Sequence, residues 1–290
     1  MPSSSVSAHR PAMIDESDLQ SGHPAHAVTP AMSSQSSIVQ MTHVRLAFGE
    51  NVILKDLSLA VAPRERLVIM GQSGCGKSTT LRVILGILRP FSGSVKFKGA
   101  EVTQMSESNL NLMRQRVGMV YQYSALISSL SVRDNLALPL QELTGKSEKD
   151  IDAIVTEKLA LVGMVDTRGY MPSELSGGMQ KRIAIARALV LNPEVILFDE
   201  PCAGLDPVVS SVVDELIVAL TEKTKATSII VTHEMDSAFR VATRMAMLYK
   251  GEIIEEGLPD RFRNSKNPIV AQFVEGDTNG PISTQFEPLR

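Results

Sequence analysis

The chain predicts an α/β fold with a largely parallel sheet, and three short segments carry that prediction. Gly71-Gln72-Ser73-Gly74-Cys75-Gly76-Lys77-Ser78 lies between the apolar run Leu67-Val68-Ile69-Met70 and a helical pattern at Thr79–Leu85. Leu175-Ser176-Gly177-Gly178-Met179-Gln180 opens a second helical stretch, Lys181–Val190. Val195-Ile196-Leu197-Phe198 is a continuous apolar run that ends on two carboxylates, Asp199 and Glu200. Short, wholly apolar runs are what strands buried on both faces require, and such strands belong to parallel sheets covered by helices.

Taken in order, residues 1–37 are rich in Ser and carry Pro2, Pro11, Pro24 and Pro30 with no apolar periodicity. That composition cannot bury a core and reads as a disordered extension. From Ile38 to Leu46 apolar and polar residues alternate, predicting a half-buried edge strand. Phe48 follows, either as core or as an exposed aromatic face that can stack on a flat ligand. The strand, glycine loop and helix around residues 66–85 then match G-x-x-x-x-G-K-[ST] in the context that motif needs. At average glycine usage the pattern arises by chance in about one per cent of chains this long, and the flanking strand and helix make chance less plausible still. Successive amides from Gly71, Ser73, Gly74, Cys75, Gly76, Lys77, Ser78 and Thr79 form a concavity at the positive end of a helix, which suits phosphate. Lys77 is placed to reach the outer phosphates and the Ser78 hydroxyl to ligate Mg²⁺. Cys75 reads as a small spacer, although helix-end amides can lower a thiol's pKa.

Residues from about 122 to 180 read as a helical insertion that carries the glycine pair. Ser176 is an N-cap by type, and Gly177 and Gly178 leave the following amides unobstructed, so this helix start is a second candidate anion site. At the end of the 195–198 run, Asp199 suits a metal and Glu200, pointing to another side, suits proton abstraction from water. Two adjacent acids at a strand end can also be a solvated turn. Thr227–Thr232 is a further β-rich run, ending at His233, and Ile253-Ile254-Glu255-Glu256-Gly257 closes the fold. Pro268 can open a short helix with Ile269, Val270 and Phe273 on one face. So small a stripe is stable only when docked, onto its own domain, a second copy or an accessory protein. A polar tail occupies residues 276–290.

Composition narrows the function classes. The net charge is −3 over 290 residues with no basic run, so nucleic-acid binding has no electrostatic support. No apolar stretch reaches the roughly 18 residues needed to cross a bilayer. Two cysteines make no disulfide framework, and with no signal peptide read at the start they place the chain in a reducing cytosol.

In this order the three segments resemble the ATPase subunit of an ABC transporter, over roughly residues 38–275. The resemblance implies a P-loop NTPase fold with a RecA-like core, an antiparallel β subdomain and an α-helical subdomain. It implies ATP and Mg²⁺ as cofactors, and a second copy of the chain that sandwiches two ATPs. Phe48 would stack on adenine. Gln122 would touch Mg²⁺ and water and face the transmembrane partner. Ser176, Gly177 and Gly178 would close on the γ-phosphate of the opposite subunit, with His233 also directed at a γ-phosphate. Asp199 would hold the metal with Ser78, and Glu200 would be the base. A separate integral-membrane permease is implied, with the chain peripheral at the cytoplasmic face of the inner membrane.

The stretches Tyr123–Leu140 and Arg263–Gly276 are similar in style to the ATPases of Mla-type (MCE-associated) systems. That resemblance implies phospholipid cargo, and MCE-domain and small accessory subunits as further partners. Importers of amino acids or other polar solutes share every catalytic motif and form the alternative. Soluble ABC ATPases acting on ribosomes or DNA fit less well, because the chain has one cassette and no sustained heptads. One departure is Cys202-Ala203, where relatives often carry bulkier residues.

Overall fold

The computed structural model describes residues 37–282. The disordered extension expected over residues 1–37 and the end of the polar tail therefore fall outside the described residues, apart from Ser37 and residues 276–282. Strands β1 (Val39–Phe48) and β2 (Asn51–Val61) form an antiparallel hairpin, and β3 (Arg66–Met70) runs into the glycine loop and helix α1 (Lys77–Ile84). The chain then returns through β4 (Ser92–Phe97) and the short β5 (Ala100–Glu101), giving a four-stranded sheet in the order β2-β1-β4-β5.

Helix α2 (Glu107–Arg114) and strand β6 (Val117–Val120) lead to a helical segment of α3 (Val132–Leu143), α4 (Glu148–Leu161) and α5 (Gly177–Ala188). The starts of all three are written in the sequence, since Ser131, Ser147 and Ser176 each accept an amide hydrogen bond at the N-cap. Strand β7 (Val195–Asp199), helix α6 (Pro207–Thr224), strand β8 (Thr227–Thr232), helix α7 (Met235–Val241) and strands β9 (Arg244–Tyr249) and β10 (Glu252–Gly257) follow. They complete a six-stranded sheet ordered β10-β9-β3-β8-β7-β6, parallel except at β10.

The strand period of two sorts this sheet's side chains into two cores. Leu67, Ile69, Val195, Leu197, Ile229 and Val231 join the core shared with the antiparallel sheet. Their neighbours Val68, Met70, Ile196, Phe198 and Ile230 join the core beneath α3–α7. Burial on both faces is why these strands show no alternation. It also puts the carboxyl ends of β3, β7 and β8 together, where the glycine loop, Asp199 and His233 follow.

One expectation is corrected here. β1 is not an edge strand: Val39 pairs with Val61 of β2 on one side and with Phe97 of β4 on the other. Alternation reports one buried face, and it carries no information about what pairs along the strand's two sides.

The C-terminal stripe docks onto its own domain. In α8 (Pro259–Arg263) and α9 (Pro268–Glu275), Phe262 and Val270 are fully buried, and Ile269, Phe273 and Val274 pack against the larger core. The Gln272 amide donates to the carbonyls of Asp277 and Ile282 and accepts from the Ile282 amide, so the chain folds back over α9 as far as Ile282. Each buried apolar side chain contributes roughly 1.5–3 kcal/mol. At roughly 2–4 °C per kcal/mol for a domain this size, deleting residues 265–290 should lower Tm by roughly 10 °C or more by calorimetry. An unchanged Tm would mean that α9 covers no core and is kept for another surface.

Candidate active site

The site is built where β3, β7 and β8 end. Gly71 follows β3 in contact with β9's backbone: a Cβ there would lie 2.2 Å from the Leu248 carbonyl oxygen. Gly76 caps α1 with a left-handed φ of 109° and no side-chain cap bond, which leaves the first-turn amides free for an anion. A Cβ on Gly76 would lie 2.9 Å from Leu54, so the β1–β2 hairpin rests on the loop. Phe48 ends β1 on that hairpin and is 53% exposed, not core.

Lys77 is buried, and its ammonium donates to the carbonyls of Gly71 at 2.8 Å and Gln72 at 3.0 Å. It also lies 3.4 Å from Glu200 Oε1. Ser78 Oγ donates to Asp199 Oδ1 at 2.7 Å. That hydrogen bond joins two hard oxygen donors from sequence positions 121 residues apart. The pair suits Mg²⁺, which takes one or two protein oxygens together with substrate phosphates. Among the described residues no cluster of three or more His, Cys, Asp or Glu could hold a metal by itself.

Asp199 and Glu200 point to different partners. Glu200 has a left-handed φ of 47° and donates its amide to Val231 at 2.9 Å, which turns its side chain away from Asp199's. Its Oε2 accepts the His233 amide at 3.2 Å and lies 3.0 Å from His233 Nδ1. A backbone outlier held by the neighbouring strand is a common device for fixing a reacting group. The buried carboxylate is thus held between an ammonium and an imidazole.

Ser176 accepts the Met179 amide at 3.4 Å, and Ser176 and Gly177 are exposed. Gly178 has a packing reason as well: a Cβ would lie 2.5 Å from Val209 Cγ1 of α6. Among the described residues no hydrogen bond ties Ser176–Gly178 to the phosphate loop of the same chain. Gln122 follows β6 and is half-buried, and it is held through its carbonyl, which accepts from the Lys181 ammonium. Burial pushes the Cys75 thiol up, which supports the spacer reading over an activated thiol. Burial beside Asp214 pushes the Cys202 thiol up to about 12, so it stays neutral.

Sequence reasoning missed Lys181, Arg187 and the buried Asp214 that accepts from Ser237 at 2.6 Å and Arg240 at 2.6 Å. A signal for Lys181 existed: it shares a helix face with Ala184 and Ile185, at i+3 and i+4, where a solvated lysine would not sit.

Comparison with known proteins gives the family. Residues 54–203 match the ABC transporter family. Over 261 residues the chain is 40% identical to Protein TRIGALACTOSYLDIACYLGLYCEROL 3, chloroplastic, of Arabidopsis thaliana, covering 84% of this chain and 75% of the relative. It is 36% identical over 250 residues to the intermembrane phospholipid transport system ATP-binding protein MlaF of Haemophilus influenzae, covering 86% and 95%. A dimeric post-hydrolysis structure of the ATP-binding cassette MJ0796, bound to ADP and Pi, superposes with a TM-score of 0.70 at 31% identity, covering 76% of this chain and 98% of that one. Phosphate loop, paired strand-end carboxylates and exposed signature thus sit on a fold shared with an ADP-bound cassette, and the chain belongs to the ABC transporter family as an ATP-hydrolysing subunit.

Proposed function

We infer that this chain hydrolyses MgATP at sites shared between two copies of itself, and that the cycle drives phospholipid movement through a separate membrane permease. The observation that carries the reading is the convergence of Ser78 with Asp199 and of Lys77 and His233 with Glu200, all at one sheet end. In that arrangement the loop amides and Lys77 bind the phosphates. Phe48 offers a face to the base, and Ser78, Asp199 and Gln122 would hold Mg²⁺, which when bound would neutralise phosphate charge. Glu200 accepts a proton from the attacking water at its carboxylate, and His233 orients that carboxylate. The helix start at Ser176–Gly178, with Ser176 and Gly177 exposed, complements the phosphate of the opposite copy.

A cleft of about 300 Å³ beside the Gln122 loop, lined in part by Met119, Tyr121, Ile127, Leu138 and Leu191, supports docking of an apolar permease segment. No helix among the described residues is long and apolar enough to cross a membrane. The proposal includes a separate membrane subunit, with this chain peripheral at the cytoplasmic face of the inner membrane. MCE-domain and small accessory subunits belong to the same proposal. Phospholipid cargo is supported by the relatives whose names refer to galactolipid and phospholipid. The test is to purify the chain from membranes with its permease and reconstitute the complex between labelled vesicles. ATP-dependent transfer of labelled phospholipid, abolished by omitting Mg²⁺, is expected. Turnover stimulated instead by a polar solute, with no lipid transfer, would contradict the cargo assignment.

A further inference from the structure

We propose that Lys181 is a positioning residue that ties both the Gln122 loop and the Glu200 backbone to the helix opened by Ser176. Lys181 lies in the second turn of α5 and is only 4% exposed. Its ammonium donates to the Gln122 carbonyl and approaches the Glu200 carbonyl at 3.4 Å. One buried cation therefore touches the backbone of the metal-facing glutamine and of the proton acceptor, from the helix whose cap is the exposed signature.

The loop it holds needs holding. Ser124 and Ala125 both adopt left-handed φ, 60° and 49°, and neither is glycine. Such backbone persists only where surroundings over-determine it. Arg187, farther along α5, supplies a second anchor, donating to the Ser124 carbonyl at 2.9 Å and to the Ala125 carbonyl at 2.7 Å. Two cations of one helix thus grip residues 122–125, and only Lys181 extends the grip to Glu200. Burial disfavours the ammonium. An apolar side chain of similar length would fill the space without that cost, so packing alone gives no reason for a lysine here. Any shift of α5 against the opposite copy would be felt at once by Gln122 and Glu200.

This inference rests on the ATPase reading above, and the experiment separates the two. In the full chain, Lys181→Met and Lys181→Arg are compared with the wild type for kcat, KM for MgATP, nucleotide affinity without metal, Tm and amide hydrogen exchange. Lys181→Met is expected to lower kcat by roughly 10–100-fold, the scale of a small misplacement of reacting groups, with KM and metal-free affinity changed by less than about threefold. The Ser124 and Ala125 amides, which donate to Tyr121 at 2.9 Å and Tyr123 at 2.6 Å, should exchange at least about tenfold faster. Lys181→Arg, which keeps donors at the same place, should recover most of the turnover and protection. Lys181→Met turning over within about twofold of wild type, or losing kcat, nucleotide affinity and Tm together with no recovery in Lys181→Arg, would overturn the proposal. Should the wild type hydrolyse nothing, the ATPase reading fails while the exchange comparison still decides whether Lys181 holds the loop.

Discussion

Replacing Glu200 by Gln is expected to lower ATP turnover by roughly 10²–10⁴-fold, the usual contribution of a positioned base, while ATP binding survives. Gln keeps the shape but cannot accept a proton from water. Removing the charge leaves Lys77 in contact with the carbonyls of Gly71 and Gln72, so no buried cation is stranded and the loop keeps its form. The His233 amide retains an oxygen acceptor in the Gln side chain, which preserves the β8 end that faces it. A dimer loaded with ATP should then accumulate, seen as an ATP-dependent doubling of mass in light scattering. Near-normal turnover by this variant would show that the proton goes elsewhere.

Much of the catalytic fold was legible because the parallel strands are apolar throughout and end in unmistakable chemistry. Val195–Phe198 reads as buried, and the change to Asp199 and Glu200 marks the sheet's carboxyl end. The helix starts were legible in Ser176 and Pro268, whose chemistry acts within one turn. What the residues could not convey was partnership at long range. The alternating pattern of β1 gave its buried face but not its neighbours, and it was misread as an edge. The stripe of Ile269, Val270 and Phe273 announced docking without saying onto what; the answer depends on a groove assembled from distant elements.

The same distinction runs through the site. Lys77, Ser78, Asp199 and Glu200 were legible because each stands at a fixed place in a local pattern. The Ser78–Asp199 bond and the position of Glu200 between Lys77 and His233 are products of strand order, β3 beside β8 and β8 beside β7. Gly178 shows two demands at one position: its open amide was evident, whereas the 2.5 Å approach of Val209 needed the placement of α6. Lys181 was passed over because a lysine in a helix is ordinarily solvated, and only its neighbours on the helix face hinted otherwise.

The central claim is that each hydrolytic site is assembled from two chains, and complementation between two inactive variants measures it directly. Ser176→Arg places bulk and positive charge where the opposite phosphate would dock. Its exposed position and its single 3.4 Å cap bond limit the folding cost to about 1 kcal/mol. Lys77→Ala removes the ammonium from the phosphate loop and with it a charge-assisted contact to the nucleotide. Each variant alone should hydrolyse little. In an equal mixture about half of the pairs are mixed and each mixed pair holds one sound site of two, so turnover should rise to roughly a quarter of wild type. The mixture is assayed at concentrations where light scattering shows the dimer. Recovery toward that level is the predicted result; turnover no greater than the sum of the two variants alone would contradict a shared site.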